Sequence, residues 1–256
     1  VSGSPTLLRR LGVAASSHPD RPCLLVGEEV LTHAEVVEAS SLIGRALIGV
    51  GLGSGSRIAV LSPNHLLGMV ATLGVIRSGA TWIPLNPRDS IDSMAGLCRR
   101  FRVDMLIHHP GFAEAVDPIR AVAPGVRVVV PLVTTHEEDD LLAWAAANDR
   151  DVSLTEPAAD HLVAVFATGG TTGVPKGVCY SYRTLSAIAG NYVELADHPD
   201  PVFLAAAPLT HVSGRVCLGV MAAGGTTVVL PRFDPAAVFD AIERHRVTNM
   251  MLPTTL

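Results

Sequence analysis

No two of the four cysteines, Cys23, Cys98, Cys179 and Cys217, stand at CxxC spacing. That excludes a zinc ribbon and a disulfide framework, and leaves reduced thiols in a core as the expectation. There is no concentrated basic stripe either. The formal net charge is −5 and the arginines are scattered, which argues against a nucleic-acid surface. The longest apolar stretch, within 202–230, is interrupted by His211 and Arg215 and broken by glycines, so a spanning helix is not expected. The opening residues Val1-Ser2-Gly3-Ser4-Pro5 lack a basic region followed by a long apolar one. No signal peptide is read there, and a cytoplasmic location is expected. Metal ligands at usable spacing are missing too. His108-His109 reads as the end of a strand over 103–107, and Glu137-Glu138-Asp139-Asp140 as the acidic first turn of a surface helix, favoured by its dipole.

What the chain does contain is apolar residues, 48% of 256, enough for one large or two smaller cores. Their periodicity alternates between helix and strand. Thr32 and Glu35 form a capping box ahead of Val36, Leu42, Ile43, Ala46, Leu47 and Val50, with Gly51 or Gly53 to end that helix. A strand over 57–62, a helix capped by Asn64 and running through Ile76, and a strand over 81–85 make a strand-helix-strand unit. A second unit follows at 202–207, 216–223 and 226–230, with glycines at the helix exit. Asp234-Pro235 then starts a helix, as cap and first-turn proline, and 248–252 reads as a strand. Two such units predict an α/β protein with two sheets, divided along the chain into 1–160 and 161–256.

The densest chemistry lies at Thr168-Gly169-Gly170-Thr171-Thr172-Gly173-Val174-Pro175-Lys176-Gly177, directly behind the apolar run 162–167. A buried strand there delivers the chain to a turn. Its glycines let backbone N–H groups approach an anion, threonine hydroxyls add donors and a lysine adds charge. The spacing is not that of the common nucleotide loop, because Pro175 precedes the lysine and Gly177 follows it. Residues 178–180 read as strand, and the next helix begins after Ser181, so a helix dipole is not the obvious partner for an anion. A plain glycine-rich turn would need neither three threonines nor a lysine held behind proline.

The string resembles the signature loop of the adenylate-forming superfamily, which includes acyl-CoA and aryl-CoA synthetases, luciferases and the adenylation domains of peptide synthetases. Serine is common in that family where Gly169 stands, though glycine occurs in enzymes resembling fatty acyl-CoA synthetases. Other elements match in family order. Leu31-Thr32-His33-Ala34-Glu35 is similar to "LTYAEL", and the stretch from Gly79-Ala80 through Pro84-Leu85-Asn86-Pro87 to "G-A-x-x-x-P-L-x-P". Pro208-Leu209-Thr210-His211-Val212-Ser213-Gly214 resembles "P-x-x-H-x-x-G", and 232–254 the segment beyond it. The family's later tyrosine-glycine-threonine-glutamate element, ribose-binding aspartate, hinge and mobile-domain lysine do not occur in these 256 residues.

The resemblance implies an α/β N-terminal domain with two β-sheets flanked by helices in a layered αβαβα arrangement, incomplete at its C-terminus. It implies ATP-dependent activation of a carboxylic acid, a fatty acid first, to an acyl-adenylate, followed by transfer to coenzyme A. ATP, Mg2+, coenzyme A and the acid are the implied partners, and no protein nucleophile is required. Thr168, Thr171 and Thr172 are the implied phosphate donors. Gly169, Gly170 and Gly173 permit close approach, and Lys176 screens phosphate or pins the loop through a carboxylate. His211 alone, in an apolar segment, would read as a hydrogen-bonded core residue or a site residue. The resemblance sets it beside the acid's carboxylate, with Val212, Ser213 and Gly214 along an acyl pocket; a glycine at 214 also suits close helix packing. An aryl-acid ligase, a peptide-synthetase adenylation domain and a non-catalytic nucleotide-binding scaffold are the alternatives. Residues 1–256 by themselves are expected to bind ATP weakly, to make no acyl-adenylate at a useful rate and to self-associate through open strand edges, a homodimer among the outcomes.

Overall fold

The structure, a computed structural model, describes residues 5–134, 140–168, 176–195 and 198–252. Its helices are α1 (Leu7–Ser17), α2 (His33–Gly49), α3 (Leu66–Arg77), α4 (Ile91–Arg100), α5 (Val116–Val122), α6 (Leu141–Asn148), α7 (Tyr182–Leu195), α8 (Val212–Ala222) and α9 (Pro235–His245). Its strands are β1 (Pro22–Val26), β2 (Glu29–Thr32), β3 (Arg57–Leu61), β4 (Thr81–Leu85), β5 (Met105–His108), β6 (Val128–Pro131), β7 (Leu162–Thr168), β8 (Lys176–Ser181), β9 (Val202–Ala205), β10 (Thr226–Val229) and β11 (Asn249–Met250). The chain forms two compact units. One is Val1–Glu38 with Asn64–Met69 and Arg183–Leu256; the other is Ala39–Pro63 with Val70–Tyr182.

Each unit has its own sheet, as the alternating pattern predicts. The first unit carries the order β11-β9-β10-β1-β2, and the second β6-β5-β3-β4-β7-β8. Both sheets draw on both sides of residue 160. β1 pairs parallel with β10, Leu24 opposite Thr227, and β7 pairs parallel with β4, Trp82 opposite Ala164. A linear division at 160 therefore does not follow the sheets, whose partners lie far apart along the chain. In the second unit Leu61, Ile83 and Leu106 pack with Met94 and Leu97 of α4 and Ile119 of α5. Each such side chain, fully buried, contributes about 1.5–3 kcal/mol. Val238 and Ala241 of α9 pack on Leu204 and Val228 in the first unit.

Local signals hold where they are self-contained. The Thr32 N–H donates to Glu35 Oε2 at 2.7 Å and the Glu35 N–H to Thr32 Oγ1 at 3.2 Å, the reciprocal capping box of α2. Asp234 accepts from the Ala237 N–H at 2.8 Å, with Pro235 in the first turn of α9. Gly79 and Gly224 take φ of +78° and +75° where α3 turns into β4 and α8 into β10, a conformation glycine adopts without strain. Within the acidic run, Asp140 caps α6 by accepting from the Leu142 and Ala143 N–H groups, both at 2.9 Å; Glu137, Glu138 and Asp139 lie outside the described residues.

Three expectations change. Asn64 does not cap α3. His65 Nδ1 accepts from the Leu67 N–H at 3.2 Å instead, and the Asn64 carboxamide goes elsewhere. Cys23, Cys98 and Cys217 are buried, but Cys179 is exposed, because β8 is the last strand of its sheet and leaves a face uncovered. The strand expected over 248–252 is reduced to the two residues of β11.

His33 supplies a pH test of this packing. Its ring is 1% exposed, with Nε2 3.1 Å from the Gly225 carbonyl. Burial pushes its pKa below the ordinary imidazole value, opposed by that carbonyl and assisted by the Arg21 guanidinium. Well above about pH 6.5, the ordinary imidazole value, neither folded nor unfolded chain protonates the ring. As pH falls below that value the unfolded chain takes up a proton that the folded chain resists, so stability declines. Burial pushes His65 and His108 the same way. The unfolding midpoint is expected to fall between about pH 7.5 and about pH 5.5, the range of histidine titration, and His33→Gln to remove part of that fall. An unchanged pH profile in the variant would show that His33 is not one of the responsible groups.

Candidate functional site

β7 is buried along Val163–Phe166 and runs antiparallel to β8 from Leu162 opposite Ser181 to Thr168 opposite Lys176. The two ends of the glycine-threonine loop are thereby held as a strand pair, and Thr168 Oγ1 donates to the Lys176 carbonyl at 3.3 Å. Gly169, Gly170, Thr171, Thr172 and Gly173 lie outside the described residues. β7 is parallel to β4, and β4 to β3, so the loop leaves the sheet at the carboxyl ends of its parallel strands. That is the edge at which open α/β sheets bind ligands. Beyond the loop the described chain resumes as β8, and α7 begins only at Tyr182.

Aromatic contacts pack the base of the hairpin. Phe166 meets Trp82 on β4 and Tyr180 on β8 in edge-on contacts, each with ring centroids 5.1 Å apart. At Gly177 a Cβ would stand 2.7 Å from Val165 Cγ1 and 3.0 Å from Phe101 Cε1. Lys176 itself is exposed. It is the single lysine among the 256 residues, so no other lysine of this chain can replace its charge.

The second group of predicted site residues belongs to the other unit. The His211 N–H donates to the Pro208 carbonyl at 3.3 Å, closing a turn that leads into α8. His211 is the residue before the helix; its side chain is exposed and makes no capping bond. The core-histidine alternative is thus excluded by exposure. Val212 is exposed as well, whereas Ser213 is 1% exposed. The hydroxyls of Ser213 and Thr210 are buried with no hydrogen-bond partner among the described residues, an arrangement that costs free energy unless water or a ligand completes it. Gly214 is explained by the backbone: a Cβ there would stand 1.9 Å from the Leu209 carbonyl oxygen. Close packing, the alternative reading of this glycine, is what the structure contains at that position.

Asn64 is the residue that sequence reasoning misassigned. Its Nδ2 donates to the Ala207 carbonyl at 3.1 Å and the Leu230 carbonyl at 2.9 Å, and its Oδ1 accepts from the Leu209 N–H at 2.9 Å. These atoms lie just past the carboxyl ends of β9 and β10 and in the turn before His211. An asparagine ahead of a helix looks like a cap, and nothing local distinguishes partners more than a hundred residues away. Among the described residues no cluster of three or more His, Cys, Asp or Glu could hold a metal ion. No described helix is long and apolar enough to cross a membrane.

Comparison with known proteins identifies the family to which this fold and this loop belong. The family model described as AMP-binding enzyme matches residues 11–256, and the chain belongs to that family. It is 31% identical over 237 residues to a feruloyl-CoA synthase of Amycolatopsis sp, covering 91% of this chain and 46% of the relative. It is 28% identical over 270 residues to the medium/long-chain-fatty-acid–CoA ligase FadD8 of Mycobacterium tuberculosis, covering 99% and 46%. Among solved structures, apo MbtA of Mycobacterium smegmatis superposes with a TM-score of 0.88 at 26% identity, covering 98% of this chain and 48% of that one. The chain spans about half the length of the curated relatives it matches.

Proposed function

We propose that the chain is the carboxylate-activating part of an ATP-dependent acid–CoA ligase. The acid's carboxylate oxygen attacks the α-phosphorus of ATP, and the bond to the β-phosphate bridging oxygen breaks. Pyrophosphate leaves and an acyl-adenylate remains. The thiolate of coenzyme A then attacks the acyl carbon and AMP departs. The observation that carries this reading is the hairpin pair Thr168–Lys176, which brackets the glycine-threonine loop beside the carboxyl ends of the parallel strands β4 and β7. A loop rich in glycine and threonine followed by a lysine suits charge developing on the departing phosphates. Thr168, Gly169, Gly170, Thr171, Thr172, Gly173 and Lys176 are the proposed phosphate residues. Magnesium would arrive held largely by the phosphates, which is why a dedicated protein cage is not required. ATP and coenzyme A as co-substrates fit a cytoplasmic enzyme.

His211, with Val212, Ser213 and Gly214, is proposed for the acid side. Fatty acids are the first substrates to try, and aryl acids are a second reading favoured by the 31% identity to a feruloyl-CoA synthase. The test is acid-dependent ATP–pyrophosphate exchange by the complete natural protein across a panel of both classes. Exchange with no acid would leave a non-catalytic nucleotide-binding role. His211→Ala is expected to impair acid use, in KM or kcat, and to leave ATP affinity nearly intact. Because the side chain is exposed, the melting temperature should hold. A lower melting temperature with normal kinetics per folded molecule would remove His211 from the site.

A further inference from the structure

We infer that Asn64 is a positioning residue for the acid side of the site: its carboxamide sets where the turn before α8, and with it His211, stands against the carboxyl ends of β9 and β10. The inference rests on the proposed role of His211. Two donors and one acceptor of the carboxamide are all engaged, to the Ala207 and Leu230 carbonyls and from the Leu209 N–H. No other short side chain offers that set. Aspartate would turn acceptors toward two carbonyl oxygens, and serine has a single donor.

The strand ladder does not depend on these bonds. β9 and β10 already pair from Val202 opposite Thr226 to Ala205 opposite Val229, and the Asn64 contacts begin beyond that register. What they hold is the turn. The Leu209 N–H is bound to Asn64, the Leu209 carbonyl oxygen abuts Gly214 in the first turn of α8, and the Pro208 carbonyl receives the His211 N–H. The backbone of His211 is therefore fixed from both sides while its imidazole stays exposed. A catalytic group misplaced by an ångström costs roughly a hundredfold in rate even when the altered residue lies away from the chemistry.

The experiment uses the complete natural protein with Asn64→Ala, Asn64→Asp and His211→Ala, singly and as the Asn64→Ala/His211→Ala pair. Asn64→Asp retains an acceptor for the Leu209 N–H and guards against a fold lost in the alanine variant. Acid-dependent pyrophosphate release is expected to fall about 10–100-fold in kcat/KM for the acid, with the KM for ATP nearly unchanged. In the His211→Ala background Asn64→Ala should add little, since both act through one group. Hydrogen exchange is the arm that needs no activity: amides of 209–211 should exchange faster in the Asn64 variants while those of 203–205 and 227–229 keep their rates. Equal losses in both backgrounds, parallel losses for acid and ATP, or unchanged exchange at 209–211 would each overturn the inference. If the wild type shows no acid-dependent turnover, the ligase reading fails, and exchange at 209–211 alone decides whether Asn64 holds the turn.

Discussion

Lys176→Ala is expected to lower acid-dependent ATP–pyrophosphate exchange by about a hundredfold, equivalent to ~3 kcal/mol of transition-state stabilisation lost with one charged or preorganised donor. The fold should not register the change. Lys176 is exposed at the end of an edge strand, and surface substitutions of this kind stay within about 0.5 kcal/mol. The hydrogen bond from the Thr168 hydroxyl to the residue 176 carbonyl needs no lysine side chain and is retained in the variant. Exchange at the wild-type rate in a well-folded variant would remove Lys176 from the phosphate site.

The second large effect is expected from Gly214→Ala. The added Cβ would meet the Leu209 carbonyl oxygen at 1.9 Å, far inside contact distance, and the obstacle is backbone that cannot swing away. Either α8 or the preceding turn must shift. Overpacking of this kind costs about 1–3 kcal/mol, so a lower denaturation midpoint should accompany a loss of acid use. The same Leu209 is tied to Asn64, which leaves the turn little freedom to absorb the displacement. Unchanged stability together with unchanged acid kinetics would show that Leu209 and Gly214 are not this close in solution.

The two predictions differ in how far the sequence anticipates them. Lys176 stands out in a compact string of glycines, threonines and a proline, so its proposed role can be read from ten consecutive residues. The steric demand at Gly214 is invisible there. A glycine after "P-x-x-H" is compatible with an open pocket or a close approach, and only the position of the Leu209 carbonyl reveals the close approach.

Elements built from short-range bonds were determined by the sequence alone. The Thr32–Glu35 box and the Asp234 cap each involve residues three apart, and the glycine exits at 79 and 224 follow from a backbone angle glycine adopts freely. The strand-helix-strand order came from periodicity for the same reason. Tertiary structure alone decided where distant partners meet: that β1 joins β10 across about two hundred residues, that Cys179 faces outward on an edge strand, and that Asn64 binds three groups beyond the ends of β9 and β10 instead of capping α3. An asparagine carboxamide has the same hydrogen-bonding capacity in either role, so its partner is chosen by which backbone groups folding brings within reach and leaves unpaired.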